Sequence, residues 1–229
     1  MARRKQIKGE CAFCGREMTK GGLTRHLPAC PERKEDIDNA TQKQEEPEQD
    51  LYHLQVYTAR MDDFWLHLEM KGSAQLHDLD AYLRSIWLEC CGHLSQFSQG
   101  GGRYIEISKS KRADQVFEPG VELTHIYDFG TSSETHIKVY DVREGYALSS
   151  YPIFLMARNN PPESECMECN ESASWLCLEC MYQTDAPGTL CEEHADAHLS
   201  HDAYGRLMPL VNSPRAGMCG YDGPATPPY

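Results

Sequence analysis

Leu51-Tyr-His-Leu-Gln-Val-Tyr57, Phe64-Trp-Leu-His-Leu-Glu-Met70 and the stretch from Ser73 to Gly92 decide the fold class. The first run alternates, with Leu54 and Val56 on one face, and reads as a strand; the second reads as its neighbour, broken by Lys71-Gly72. Ser73 is placed to cap a helix from Ala74 to Cys91, along which Leu76, Leu79, Leu83, Ile86, Trp87 and Cys90 recur at helical spacing until Gly92. Cys90 and Cys91 read as core or half-core thiols, because vicinal cysteines are poor partners for one zinc. Further strands are expected at His93 to Phe97, Tyr104 to Ser108, Leu123 to Phe129 and Thr135 to Tyr140. Gly100-Gly101-Gly102 reads as a turn, since no Gly-Lys-Ser/Thr follows as a phosphate loop requires. Strand, strand, helix and then several strands is the order of an α+β domain with a largely antiparallel sheet and a packed helix. It spans residues 51 to 160 and closes at Asn159-Asn160-Pro161-Pro162.

Within it, His125-Ile-Tyr127-Asp128-Phe129-Gly130, followed by Glu134 and His136, resembles the Tyr-Asp-Phe-Gly signature of the plasmid pRiA4b ORF-like family. Tyr52-His53-Leu54-Gln55-Val56 and the helix beginning near His77-Asp78-Leu79 are similar to that family too. The resemblance covers residues 51 to 160 and implies an α+β fold and an association with plasmids and mobile elements. Thr131-Ser132-Ser133 stands where many members have an Asp and a Trp. The resemblance carries no chemistry. His125, Asp128, Glu134 and His136 are the candidates for acid–base or metal chemistry in this domain, because a hairpin can bring them together. The competing reading turns Tyr127 and Phe129 to the core, starts the turn at Asp128 and leaves His136 on a strand face. No serine with an arginine cluster, as a serine recombinase needs, is found.

Behind this domain stand Cys166-x2-Cys169, Cys177-x2-Cys180, Cys191-x2-His194, His198 and His201. Sulfur and nitrogen ligands in short pairs match tetrahedral zinc, and eight of them fill two closed sites. In a cross-brace, Cys166, Cys169, Cys191 and His194 hold one ion and Cys177, Cys180, His198 and His201 the other. A sequential pairing, first four and last four, is the alternative. The seven- and ten-residue gaps resemble B-box modules and favour the cross-brace for a module at residues 161 to 205. One short helix can present the three histidines on one face. The remainder, residues 206 to 229, carries Asn212-Ser213-Pro214-Arg215 and Cys219-Gly220-Tyr221, similar to the ending of family members with this zinc extension. It is expected to pack back on the body, with Cys219 as a packed cysteine.

A third set lies at the other end: Cys11-x2-Cys14 and His26-x3-Cys30, spaced like a C2HC zinc finger and contained in residues 1 to 34. Met18 and Leu23 fall at finger core positions, and Gly21-Gly22 at the entry to its helix. So small a module needs the metal in order to fold. Arg3, Arg4, Lys5, Lys8, Arg16, Lys20, Arg25 and Arg33 can contact DNA or RNA phosphates, or equally dock on an acidic protein surface. Residues 1 to 34 hold nine Lys or Arg against three acids, whereas residues 35 to 50 hold seven acids and one Lys and read as a disordered linker.

The net charge of -13 argues against nucleic-acid coating of the whole chain. With eight thiolates and three Zn2+ it becomes about -15. No apolar run has the length of a membrane span, and eleven cysteines without a leader fit a reducing cytoplasm. These features describe a zinc-containing recognition or adaptor protein with three structural ions. Its finger would contact nucleic acid and its C-terminal module a protein, with no membrane and no small-molecule substrate. An enzyme acting on nucleic acid or a mobile-element partner, and a purely protein-binding scaffold, are the competing readings.

Overall fold

The computed structural model describes residues 6–59, 63–99, 105–201 and 203–228. The chain divides into two compact units: Met1–Arg84, Leu94–Asn160 and Pro227–Tyr229 in one, Ser85–His93 and Pro161–Thr226 in the other. The first is an α+β unit built on one antiparallel sheet, as its pattern of strands around a helix requires. Its strands are β1 (Lys8–Cys11), β2 (Glu17–Thr19), β3 (Gln49–Thr58), β4 (Trp65–Lys71), β5 (Ser95–Gln99), β6 (Ile105–Ile107), β7 (Glu122–Tyr127), β8 (Ser133–Gly145) and β9 (Ile153–Asn159). Among the described residues the order is β2-β1-β9-β4-β3-β8-β7-β5-β6. No helix among these residues is long and apolar enough to cross a membrane.

Strands β3 and β4 are buried on both faces. Register pairs Leu54 with Leu68 and Val56 with Leu66 on an apolar face, and His53 with Glu69 and Gln55 with His67 on a polar one. Helices α1 (Lys20–His26) and α2 (Pro31–Lys43) supply partners for the polar face. Gln55 Nε2 donates to Thr24 Oγ1 of α1 at 3.0 Å, and Arg33 of α2 donates to Glu69 at 3.1 Å. Arg143 of β8 donates to both oxygens of Glu69, so this buried carboxylate is satisfied by two guanidinium groups.

The segment expected to be a disordered linker is helical through Lys43, and Gln49 already enters β3. Its polar composition hid the helix: α2 starts on Pro31, ends at Gln44 in a left-handed conformation, and buries only Arg33. Nor does the finger stand apart from the sheet. Strand β1 pairs with β9, Gly9 opposite Asn159 and Cys11 opposite Ala157. Gly9 is required there, because a Cβ would lie 2.0 Å from Arg158 O and 2.4 Å from the Trp65 ring.

Helix α3 (Leu76–Leu83) is shorter than its apolar spacing predicts, and a wider, π-type turn follows at Arg84–Leu88. Gln75 is its N-cap rather than Ser73; its N–H donates to Asp78 at 2.7 Å, while Ser73 bonds Gln49. Phe129 is exposed rather than in the core, because the chain leaves β7 through Asp128 at φ 65°. The glycine triplet, Tyr104, Arg3, Arg4 and Lys5 lie outside the described residues.

The second unit has a small sheet of β10 (Trp175–Leu176), β11 (Thr189–Leu190) and β12 (Met208–Pro209), with β10 central. Helices α4 (Leu178–Thr184) and α5 (Glu192–Ala195) complete it. The C-terminal segment is integral to this unit: β12 pairs with β10, and Leu210 and Ala216 pack on Leu176, Leu178 and Met208.

Candidate metal centres

In the first set, the turn from β1 to β2 carries Cys11 and Cys14. Gly15, at φ 69°, allows the turn to close, and its N–H donates to Cys11 O at 2.9 Å. Thr19, not a glycine, caps α1: Gly22 N–H donates to its Oγ1, and the two glycines lie inside the helix. His26 ends α1, and Cys30 precedes Pro31 of α2. Leu23 and Leu27 pack with Cys11 and Cys30 against Trp65, Met156 and Ala157, and Met18 closes the cluster. The ligands therefore rest on the sheet's own core.

In the second unit the eight ligands fall into the cross-braced groups: Cys166, Cys169, Cys191 and His194 in one, Cys177, Cys180, His198 and His201 in the other. Strand β10 leads into Cys177, α4 carries Cys180, β11 leads into Cys191 and α5 carries His194. Helix α5 gives way to a 3-10 turn at Asp196–His198. The three histidines therefore do not share one helical face; His194 serves one group, and His198 and His201 the other.

Tetrahedral zinc with Zn–S near 2.3 Å and Zn–N near 2.05 Å requires ligand separations of about 3.8 Å (S···S), 3.6 Å (S···N) and 3.3 Å (N···N). The observed separations lie within about 0.4 Å of these values, the shorter ones including 3.2 Å from Cys191 to His194 and 3.3 Å from Cys180 to His198. Cys169 and Cys191 sulfurs are 3.8 Å apart, and Cys166 and Cys169 lie 3.7 and 3.5 Å from His194 Nδ1. Cys177 and Cys180 lie 3.6 and 3.4 Å from His201 Nδ1, and the Nδ1 atoms of His198 and His201 are 3.1 Å apart. In the first set Cys14 Sγ is 3.2 Å from His26 Nε2. Each set can hold a metal ion with four protein ligands.

The backbone prepares one of these sulfurs, Cys166, for the thiolate form, while Cys169 beside it and Cys180 are pushed up to about 11. Burial would raise the Cys166 thiol, but the N–H groups of Cys191, Glu168 and Cys169 outweigh it and bring the thiol down to about 6. Burial pushes Cys11 up against the N–H groups of Cys14 and Phe13, and pushes Cys30 up to about 12. There the positive charge of the metal must displace the proton.

The other four candidates do not form one site: Glu134 and His136 approach each other at 3.9 Å, but apart from His125 and Asp128. His125 shares a face with Thr135, whereas Glu134 and His136 lie across from Ile126 and Thr124 on the opposite face. Asp128 accepts from Gly130 N–H, a turn-closing contact. His125, completely buried, instead meets Asp80 of α3, a partner 45 residues away that no local motif signals. Burial alone would raise the Asp80 carboxyl. Hydrogen bonds from His125, Ser95 and Lys109 outweigh it and hold the group far below the usual range. Burial also lowers His125, so a neutral imidazole donates Nε2–H to the carboxylate at 2.8 Å. This network ties α3 to the sheet.

Of the basic residues, Lys8, Arg16 and Arg25 are exposed, Lys20 lies over the Tyr57 ring, and Arg33 is committed to Glu69. Glu10, Glu17 and Glu32 are exposed in the same segment.

No family model matches the chain, and no curated protein does. Among solved structures, a protein of unknown function from Methanosarcina mazei Go1 is similar at 17% identity with a TM-score of 0.40. That match covers 45% of this chain and 66% of the other, so the chain spans just under two thirds of that protein's length.

Proposed function

We propose that the chain is a non-enzymatic recognition or adaptor protein whose three four-ligand sets hold structural zinc. The observation that carries this is closure: each set has four Cys or His ligands whose donor atoms lie within 4.8 Å of one another, and four such ligands fill a tetrahedral zinc and leave no coordination position for a substrate. The donors are thiolates and imidazoles, which favour zinc over hard cations. Zinc then supplies structural charge and cross-linking. The ligands hold β1, α1 and the C-terminal elements in place for contacts made elsewhere.

The finger is the nucleic-acid arm in this reading. Lys8, Arg16 and Arg25 offer exposed cations, preceded in sequence by Arg3, Arg4 and Lys5. Such contact is with phosphate and carries no sequence information. The second unit is the protein-binding arm. A cleft of about 510 Å³ is lined by Trp175, Ala195, Leu199, Leu207 and Pro209, with Glu192, Asp196 and Asp222 outnumbering Arg206. It suits a partner segment of apolar and basic side chains. The likeness of the Tyr127-Asp128-Phe129-Gly130 segment to the plasmid pRiA4b ORF-like family extends the reading to a mobile-element setting, and the thiol-rich ligand sets suit a reducing, cytoplasmic compartment.

The test is a salt titration of DNA and RNA binding by the full chain and by the Lys8→Ala/Arg16→Ala/Arg25→Ala variant. Truncation is unsuitable, since β1 belongs to the sheet. Binding by the full chain should weaken steeply between about 50 and 200 mM salt, and the triple variant should reduce the log–log slope by about 3 if all three residues meet duplex phosphates. No binding at low salt removes the nucleic-acid arm and leaves the finger as a protein-docking surface.

A further inference from the structure

Eight of the eleven cysteines belong to the three sets; Cys90, Cys91 and Cys219 remain. The reading of Cys219 as a packed side chain does not hold, for Cys219 and Cys91 are both exposed and Cys90 is half-buried. These residues, far apart in sequence, meet inside the second unit. The ligand atoms of Cys90, His93 and Cys219 all lie within 4.8 Å of one another, the same bound met by the three four-ligand sets.

The surrounding chain holds them there. Gly92, at φ 78°, lets the backbone reverse between Cys90 and His93, and its N–H donates to Glu89 Oε1 at 2.6 Å. Ser213 Oγ donates to Trp87 O at 2.7 Å, and Arg215 N–H donates to Ser213 Oγ at 2.9 Å, fastening the C-terminal segment to the end of the helical stretch. Cys219 itself is left-handed at φ 50° and ψ 31°. A non-glycine residue is kept in that region at a cost, and such positions gather at functional sites.

A second observation points to thiolate chemistry. Arg215 is completely buried, and its guanidinium reaches both sulfurs, Nε to Cys90 Sγ at 3.4 Å and Nη2 to Cys219 Sγ at 3.6 Å. A guanidinium stays charged when buried and bonds most strongly to anionic acceptors, so a thiolate is a far better partner than a thiol. A donor that contacts two ligand sulfurs at once fixes their orientation, as the hydrogen-bond partners of metal ligands do.

We propose that Cys90, His93 and Cys219 form a fourth metal site, a Cys2His set for a thiophilic dication such as Zn2+. As the two metal–sulfur bonds form, Cys90 and Cys219 each release one proton to solvent, and no electrons are transferred. Three protein ligands leave one tetrahedral position for water or an exogenous donor, the feature that separates this site from the three closed ones. Cys91, with Sγ 3.6 Å from Cys90 Sγ and 3.0 Å from His93 Nε2, stands beside the set. The site is independent of any partner that the finger or cleft binds.

The test is native mass spectrometry of the full chain, purified under reducing conditions and equilibrated with Zn2+. The unaltered chain should carry four ions, Cys219→Ser and Cys90→Ser three each, and Cys91→Ser four. Three ions in the unaltered chain, or four in Cys219→Ser, overturn the proposal. So does a chain with three ions that is lighter by two hydrogens, which reports a disulfide among the remaining thiols, Cys90, Cys91 and Cys219. Should a serine variant lose several ions through misfolding, alkylation mapping of the unaltered chain decides. Zinc should protect Cys219 despite its exposure, and modification at an equal rate with and without zinc overturns the site.

Discussion

His53 and His67 show how strongly single residues are committed on the polar face of the sheet. His67 Nε2 faces the carbonyl of Lys20 at 3.3 Å and must donate to it, so its Nδ1 accepts from His53 Nε2 at 2.9 Å. The His67 ring is therefore neutral, and burial keeps His53 neutral as well. Burial lowers His53 to about 4, and burial with the neighbouring His53 lowers His67 to about 3. Below pH 6.5 the unfolded chain takes up protons that the folded chain refuses, so stability falls as pH drops from 6.5 towards 4, by up to about 1.4 kcal/mol per pH unit for each ring. Chemical denaturation between pH 6.5 and 5 should show this slope, and a His53→Asn/His67→Gln variant should flatten it; an unchanged slope removes the pair as its source. Gly9→Ala should destabilise by about 3 kcal/mol by pushing β1 off Arg158 and Trp65. A melting curve within a degree of the unaltered chain would refute the contact. The zinc-type ligands were legible residue by residue because their spacing is local. Asp80 and Arg215 were not, because their partners lie 45 residues away at His125 and 125 residues away at Cys90.

At the scale of elements, runs with a strict period were legible and those held by one contact were not. Strands β3, β4, β7 and β8 follow their alternation, and α3 its apolar spacing, although π-type geometry replaces the α-helix at Arg84. Strand β9 was missed, although it joins β1 to β4 in the sheet. Helix α2 was hidden because nothing in its composition announces a buried face; Arg33 alone goes into Glu69. That dependence is testable. Glu69→Ala removes the shared partner of Arg33 and Arg143 and leaves two poorly exposed guanidinium groups without it. Breaking a buried pair in this way costs about 3 to 5 kcal/mol. Hydrogen exchange should show the loss first in α2 and the adjoining part of β3, and uniform exchange across the sheet would argue against an anchoring role.

For the whole molecule, the two units should answer metal removal differently, because they bury different things. In the second unit, one core cluster consists of Cys166, Cys177, Cys180, Cys191 and Leu190, so four of its five buried members are ligands. Structural zinc contributes about 10 to 16 kcal/mol per site in small finger peptides, as much as or more than the 5 to 15 kcal/mol that stabilises an ordinary domain. The other cluster, Leu176, Leu178 and Met208, is small, so the unit should lose its fold when the ligand sets are emptied. In the first unit the ligands Cys11 and Cys30 pack at the margin of a sheet whose central strands bury Leu54, Val56, Leu66, Leu68, Ile137 and Val139 away from any ligand set. Chelation under reducing conditions should therefore abolish exchange protection from Cys166 to His201 and loosen β1 and α1, while β3, β4 and β8 stay protected. The Trp175 environment should be lost in the same step as the C-terminal protection, and Trp65, packed with Cys11 and Cys30 and beside Gly9, should report the loosening of β1 and α1. Loss of protection in β3 and β4 together with the C-terminal unit would mean that the sheet also depends on the metal. Retained protection throughout would mean that hydrophobic packing alone carries the second unit.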